Sequence, residues 1–171
     1  MRDVRGKVVV VTGAASGLGR AIALRFATAG ARIVALDRDR EQLDAFDKEL
    51  GAIGAERLAL PLDVTDASAC GAAFAAAVAR FGSIDTLVNN AGISHRSAFD
   101  ATALEVIRRV VEVNFFGAVN CTHAALPHLI KSRGVSRGPR AKLAEIPNVG
   151  HAPLFLVADQ IAIAREFLLA P

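Results

Sequence analysis

The most specific chemistry in this sequence lies in three glycines and one carboxylate. Thr12-Gly13-Ala14-Ala15-Ser16-Gly17-Leu18-Gly19 follows the apolar run 7–11 and opens a helical pattern that carries Ile22. Glycine lets the backbone turn sharply and approach a ligand, and a helix start adds unpaired N–H donors, a combination suited to a pyrophosphate. A glycine cluster between a strand and a helix also serves plain tight packing, so spacing alone is weak evidence. Asp37 sharpens it, standing about 20 residues on at the end of the apolar run 33–36. A carboxylate there accepts from both ribose hydroxyls of an adenosine and repels a 2′-phosphate, which favours NAD over NADP. Arg38 beside it would suit a phosphate, and Asp37 could equally cap the next helix.

Three further motifs follow: Asp63-Val64, then Asn89-Asn90-Ala91-Gly92, then Asn114 with Gly117 and Pro127. By itself Asp63 reads as a helix-capping acid, and the asparagine pair as a loop that tolerates left-handed backbone. Taken with T-G-x-x-x-G-x-G, in this order and spacing, the set resembles a classical short-chain dehydrogenase/reductase from about residue 5 to residue 133. The resemblance implies that Gly13, Ser16, Gly17, Leu18 and Gly19 hold the pyrophosphate, that Asp63 and Val64 border adenine, and that Asn90, Ala91 and Gly92 line the passage to the nicotinamide. It also implies that Asn114 orders a water in a proton relay.

After residue 133 the chain departs from that family, which would continue into a strand ending in serine and a Y-x-x-x-K helix. None of the 171 residues is tyrosine, so this chain supplies no phenolic hydroxyl to exchange a proton during hydride transfer. From Pro139 through Ile146-Pro147-Asn148-Val149-Gly150-His151 to Phe167-Leu168, the sequence is instead similar to the C-terminal end of an α/β-hydrolase, with His151 at the catalytic histidine. Gly134-Val135-Ser136-Arg137-Gly138 fits G-x-S-x-G. No strand pattern precedes it and no helix pattern follows it, and the span is too short to order a triad.

The elements that must position these groups are short β-branched runs alternating with helical patterns, which argues for parallel βαβ units. Strands are expected near 7–12, 32–36, 57–61 and 84–89. Leu18, Ile22 and Phe26 mark one helix face, and Leu43, Phe46 and Leu50 a second. Alanine-rich 67–80 forms a third helix. A fourth should start near Thr102, where Thr102 and Glu105 make a capping-box pattern and Val106, Val110 and Val113 continue one face. The expected fold is α/β, a Rossmann-like doubly wound parallel sheet, truncated, of order 3-2-1-4. Residues 141–146 would add a fifth strand beside 84–89, with a helix over 157–169 packing Ile161, Ala164 and Leu168 onto the sheet. The chain thus divides into a dinucleotide-binding region over 1–133, a junction over 134–140, and a hydrolase-like strand and helix over 141–171.

Composition narrows the function classes. With 53% hydrophobic residues the chain can bury a core, and no apolar run reaches the length of a membrane span. The N-terminus runs straight into a strand pattern without a signal-peptide core, so a cytoplasmic location is expected. Cys70 and Cys121 lie in helical patterns and read as buried small hydrophobes, and no histidine has a partner at zinc-ligand spacing, so no metal is expected. The net charge is +3, and the basic excess is concentrated in Lys131, Arg133, Arg137, Arg140 and Lys142, an acid-free, Gly- and Pro-containing stretch without aromatic stacking partners; nucleic acid is not expected as a ligand. Members of the resembled family often associate through the helix carrying Asn114, which implies self-association with apolar surface at Phe115, Phe116 and Val119. Two functions remain: an NAD-dependent oxidoreductase with its cofactor site retained and its turnover lost or impaired, and a non-enzymatic remnant or fusion product that either binds dinucleotide as a module or folds too poorly to bind any ligand.

Overall fold

The computed structural model describes residues 4–132. Its core begins with β1 (Val8–Thr12), whose five residues are all buried. An uninterrupted β-branched run of this kind suits a central parallel strand covered on both faces. β1 pairs in parallel with β2 (Arg32–Asp37) on one side and with β4 (Thr86–Val88) on the other, and β2 pairs in parallel with β3 (Arg57–Pro61). The order is β3-β2-β1-β4, as the sequence predicts. Register sets Val10 beside Val34 and Leu87, and Asp37 beside Pro61. Among the described residues β4 pairs only with β1. The expected fifth strand 141–146, the helix 157–169, the junction 134–140 and His151 lie outside the described residues.

Alternation along the strands divides the core in two. Val9, Val11, Ile33 and Ala35 pack with α1 (Gly17–Thr28) and α2 (Arg40–Ala52), whereas Val8, Val10, Val34 and Leu36 pack with α3 (Ala67–Phe81) and the later helices. Phe46 on α2 and Phe74 on α3 are the largest fully buried side chains, one on each face. Each contributes on the order of 1.5–3 kcal/mol by leaving water. The expected face of α2 is observed, with Leu43, Phe46 and Leu50 buried. After β4 the chain makes a short 3-10 turn (Phe99–Ala101), then α4 (Leu104–Val111), a π-turn (Glu112–Phe116) and α5 (Gly117–Ser132).

Two local expectations need correction. In α1 the buried residues are Gly19, Ala23 and Ala27, while Ile22 and Phe26 are half-buried and Leu18 is 61% exposed. The helix lies so close to the sheet that only small side chains fit beneath it. The Thr102–Glu105 capping box does not form either: Thr102 Oγ1 donates to Ala98 O at 2.7 Å, closing the 3-10 turn, and α4 starts behind Ala103 with no side-chain cap. The valine face of that segment holds, with Val113 buried and Val106 and Val110 half-buried.

Cys70 and Cys121 are both free and fully buried, with their sulfurs 3.7 Å apart between α3 and α5. The neighbouring Cys70 thiol and burial push the Cys121 thiol up, so it packs protonated, as a small apolar group. No helix among the described residues is long and apolar enough to cross a membrane.

Candidate functional site

A cleft of about 410 Å³ opens at the carboxyl ends of the strands, where open α/β sheets bind their ligands. Its floor is two loops, one after β1 and one after β4, joined through the Thr12 hydroxyl and the Asn90 side-chain amide. Thr12 is the only buried polar side chain among the described residues. Its Oγ1 accepts from the N–H groups of Asn90 and Ala91, each at 3.0 Å, and donates to Val88 O at 3.4 Å. Threonine fits because a hydroxyl accepts twice and donates once while its methyl group stays in the core. In return, Asn90 Nδ2 donates to Thr12 O and Gly13 O at 3.0 and 3.1 Å.

This weld explains two of the glycines. Gly13 has φ +63°, and a Cβ there would stand 2.9 Å from Ala91 Cα. A Cβ on Gly19 would run into Gly13 O and Asn90 Nδ2. Gly19 is therefore buried beneath the loop, behind the residues that line the cleft. Gly17, at φ +53°, lines the cleft, and a Cβ there would meet nothing within 4 Å. Ser16 makes no side-chain cap on α1. The first turn of α1 thus offers backbone N–H donors and partial positive charge to an anion, with open space above Gly17 for it.

Asp37 closes the β2 end of the cleft. One carboxylate oxygen accepts from Ala15 N–H at 2.9 Å and the other from Asp39 N–H at 3.0 Å, fixing the group's orientation and leaving lone pairs free. It does not cap α2. That role belongs to Asp39, which accepts from Gln42 N–H at 3.0 Å and whose carboxyl this backbone bond holds below the usual range. Asp63 likewise leaves the capping of α3 to Asp66, which accepts from Ala69 N–H. Asp63 accepts instead from Thr65 N–H and Oγ–H, which lower its pKa, with Arg109 assisting at 3.4 Å.

Of the residues singled out in the sequence, Gly13, Ser16, Gly17, Leu18, Asp37, Asp63, Val64, Asn90, Ala91 and Gly92 line this one cleft. Asn114 stands behind it. Its Oδ1 accepts from Ile93 N–H at 2.8 Å and its Nδ2 donates to Ile93 O at 2.9 Å, so the side-chain amide pins the loop after Gly92. The π-turn around Asn114 is a deviation enriched at functional sites. Arg38, beside Asp37, lines the cleft as well. Sequence reasoning missed Asp39, Gln42, Leu62, Ile93, Arg109 and Val113 as lining residues. An acid three positions ahead of glutamine at a helix start could have flagged Asp39 and Gln42. Arg109 carries no comparable signal, since only the tertiary fold brings α4 to Asp63.

Residues 7–136 match the family model described as short chain dehydrogenase. The chain is 43% identical over 136 residues to dehydrogenase/reductase SDR family member 7B of Bos taurus, covering 76% of this chain and 42% of that protein. It is 43% identical over 127 residues to 2,5-dichloro-2,5-cyclohexadiene-1,4-diol dehydrogenase LinX of Sphingobium indicum, covering 74% and 51%. Among solved structures, a short chain dehydrogenase/reductase from Burkholderia phymatum in complex with NAD superposes with a TM-score of 0.75 at 31% identity, covering 78% of this chain and 48% of the other. The chain spans about half the length of the relatives it matches.

Proposed function

The chain belongs to the short-chain dehydrogenase/reductase family, and from that premise we propose that it binds NAD in preference to NADP while holding no tyrosine for the proton-transfer step. The observation that carries the cofactor preference is the fixed carboxylate of Asp37 at the cleft mouth, with Asp39 beside it. Two carboxylates lining this end of the cleft outweigh the single Arg38 cation and disfavour a 2′-phosphate. The glycine loop and the first turn of α1 would hold the pyrophosphate, and Asn90, Ala91 and Gly92 would line the passage toward the nicotinamide. Bound there, the nicotinamide supplies or takes a hydride. For the reaction to complete, a proton must move to or from the substrate oxygen, and a group matched to neutral pH does this best. The family's tyrosine is the group for that task, and this 171-residue sequence has none. Asn114, implied as part of the relay, keeps its side-chain amide on Ile93. The chain is thus an oxidoreductase by descent whose cofactor half is in place, with turnover lost or severely impaired.

Calorimetric titration of the purified 171-residue chain is expected to give saturable NADH binding, tighter than NADPH by about tenfold, the factor that about 1.4 kcal/mol represents. A panel of secondary alcohols and ketones should show no rate above background with either cofactor. A clear rate abolished in Asn114→Ala or His151→Ala would mean that another residue has taken over proton transfer. No saturable binding would leave only the second reading, a remnant without ligand.

Self-association is part of the same proposal. Phe115, Phe116 and Val119 are 60%, 46% and 46% exposed, and the apolar stripe continues along α5 to Leu126 and Ile130. Light scattering should give a mass above that of one 17.9 kDa chain, and a monodisperse monomer would contradict this part.

A further inference from the structure

Resting on the dinucleotide reading, the purine base falls in the part of the cleft beyond Asp37. Leu62 N–H donates to Asp37 O at 2.8 Å, so the turn after β3 adjoins the ribose position directly. Leu62, Val64, Ile93 and Val113 give that end apolar walls. Its only charged groups besides those at Asp37 are Asp63 and Arg109, and they face each other.

The two oxygens of Asp63 are held very differently. Oδ1 is fixed by Thr65 N–H at 3.0 Å and Thr65 Oγ–H at 2.7 Å, whereas Oδ2 has only Arg109 Nη2 at 3.4 Å. That distance is long for a charge-assisted bond. Both side chains are nearly half exposed, at 44% and 45%, so the pair is weakly held and easily exchanged. A guanidinium at an apolar slot has a second use that an ammonium lacks, since its flat face stacks on aromatic rings.

We propose that Arg109 determines affinity for the purine base: in the free protein it rests on Asp63 Oδ2, and on binding it moves onto the face of the purine. That frees Asp63 Oδ2 to accept from the exocyclic amine of adenine, the base that the family resemblance already sets beside Asp63. The exchange replaces one weak contact with two, a hydrogen bond to the base and a cation stacked on it.

The test uses the full chain with NADH and with ADP-ribose, which keeps the adenosine and lacks the nicotinamide. In Arg109→Ala both dissociation constants should rise by the same factor, about three- to fivefold from the range for exposed cation–π contacts. The denaturation midpoint should stay unchanged, because the residue is exposed. Arg109→Lys should not restore affinity, since it keeps the charge and loses the plane. Unchanged or tighter NADH binding in Arg109→Ala, a loss with NADH but not ADP-ribose, or full rescue by lysine would each overturn the assignment while leaving the dinucleotide site standing. Wild-type protein that binds neither compound would overturn the dinucleotide reading and this inference together.

Discussion

Gly19→Val is expected to destabilise the domain by at least about 3 kcal/mol, at or beyond the upper end of overpacking penalties in well-packed cores. Even a Cβ at this position runs into Gly13 O and Asn90 Nδ2, and neither can give way. Gly13 O is backbone, and Asn90 Nδ2 is already donating to Thr12 O and Gly13 O. Relief requires moving α1 off the sheet, which would expose Ala23 and Ala27. Against a total stability of about 5–15 kcal/mol for a typical domain, that is a large share. Gly71→Ala on α3 is the control. A Cβ there meets nothing within 4 Å, the site is exposed, and about 0.5–1 kcal/mol of stabilisation is expected from helix propensity. Urea denaturation midpoints for the two variants should shift in opposite directions. A Gly19→Val protein as stable as wild type would show that α1 does not sit as close to the glycine loop as described.

The largest effect on binding is expected from Asp37→Ala, which should weaken NADH by about 10- to 100-fold. Hydrogen bonds to a charged group are worth about 1.5–3 kcal/mol each, so the factor corresponds to the net loss of one of the two that the ribose hydroxyls would make. Part of the loss would come from the loop, because Ala15 N–H and Asp39 N–H lose their acceptor. NADPH separates the two causes. Removing the carboxylate also removes its repulsion of a 2′-phosphate, so NADPH should lose much less than NADH and the cofactor preference should narrow or invert. Loop loosening alone would weaken both cofactors equally. Equal losses in calorimetry would therefore defeat the ribose assignment, and so would unchanged NADH affinity.

Much of this architecture is legible in the residues because local pattern and tertiary position agree. The β-branched runs of β1 and β2 are central strands and read as such. The Leu43, Phe46 and Leu50 stripe faces the core, and the glycine loop lies between the strand and helix that its spacing requires. Reading fails where a residue's partner is set by the fold. The largest apolar residues of α1 suggested the wrong face, since periodicity reports hydrophobicity and cannot report that the gap beneath the helix admits only methyl groups and hydrogen. Thr102 had a capping pattern and used its hydroxyl one turn earlier, on Ala98. In the sequence Thr12 is the first letter of a motif; its partners, 78 and 79 positions away, show that it joins the two loops. Arg109 reaches Asp63 across 46 positions, a distance no local pattern spans.

The join at Thr12 has a consequence for how the cleft can respond to a ligand. Loops that leave two adjacent strands would ordinarily be able to drift apart at their tips, widening the gap between them. Here the two are paired to each other, and separating them would cost the buried Thr12 hydroxyl and two part-buried amide hydrogens their partners. The floor is consequently preorganised, and a ligand loses little entropy in ordering it. Adjustment in width must be carried by the rim: the exposed run 94–98, the uncapped start of α4, and the loosely held guanidinium at 109. Binding should therefore be rigid along the glycine loop and yielding near residue 109, a division of mechanical labour set by the bonds between Thr12 and Asn90.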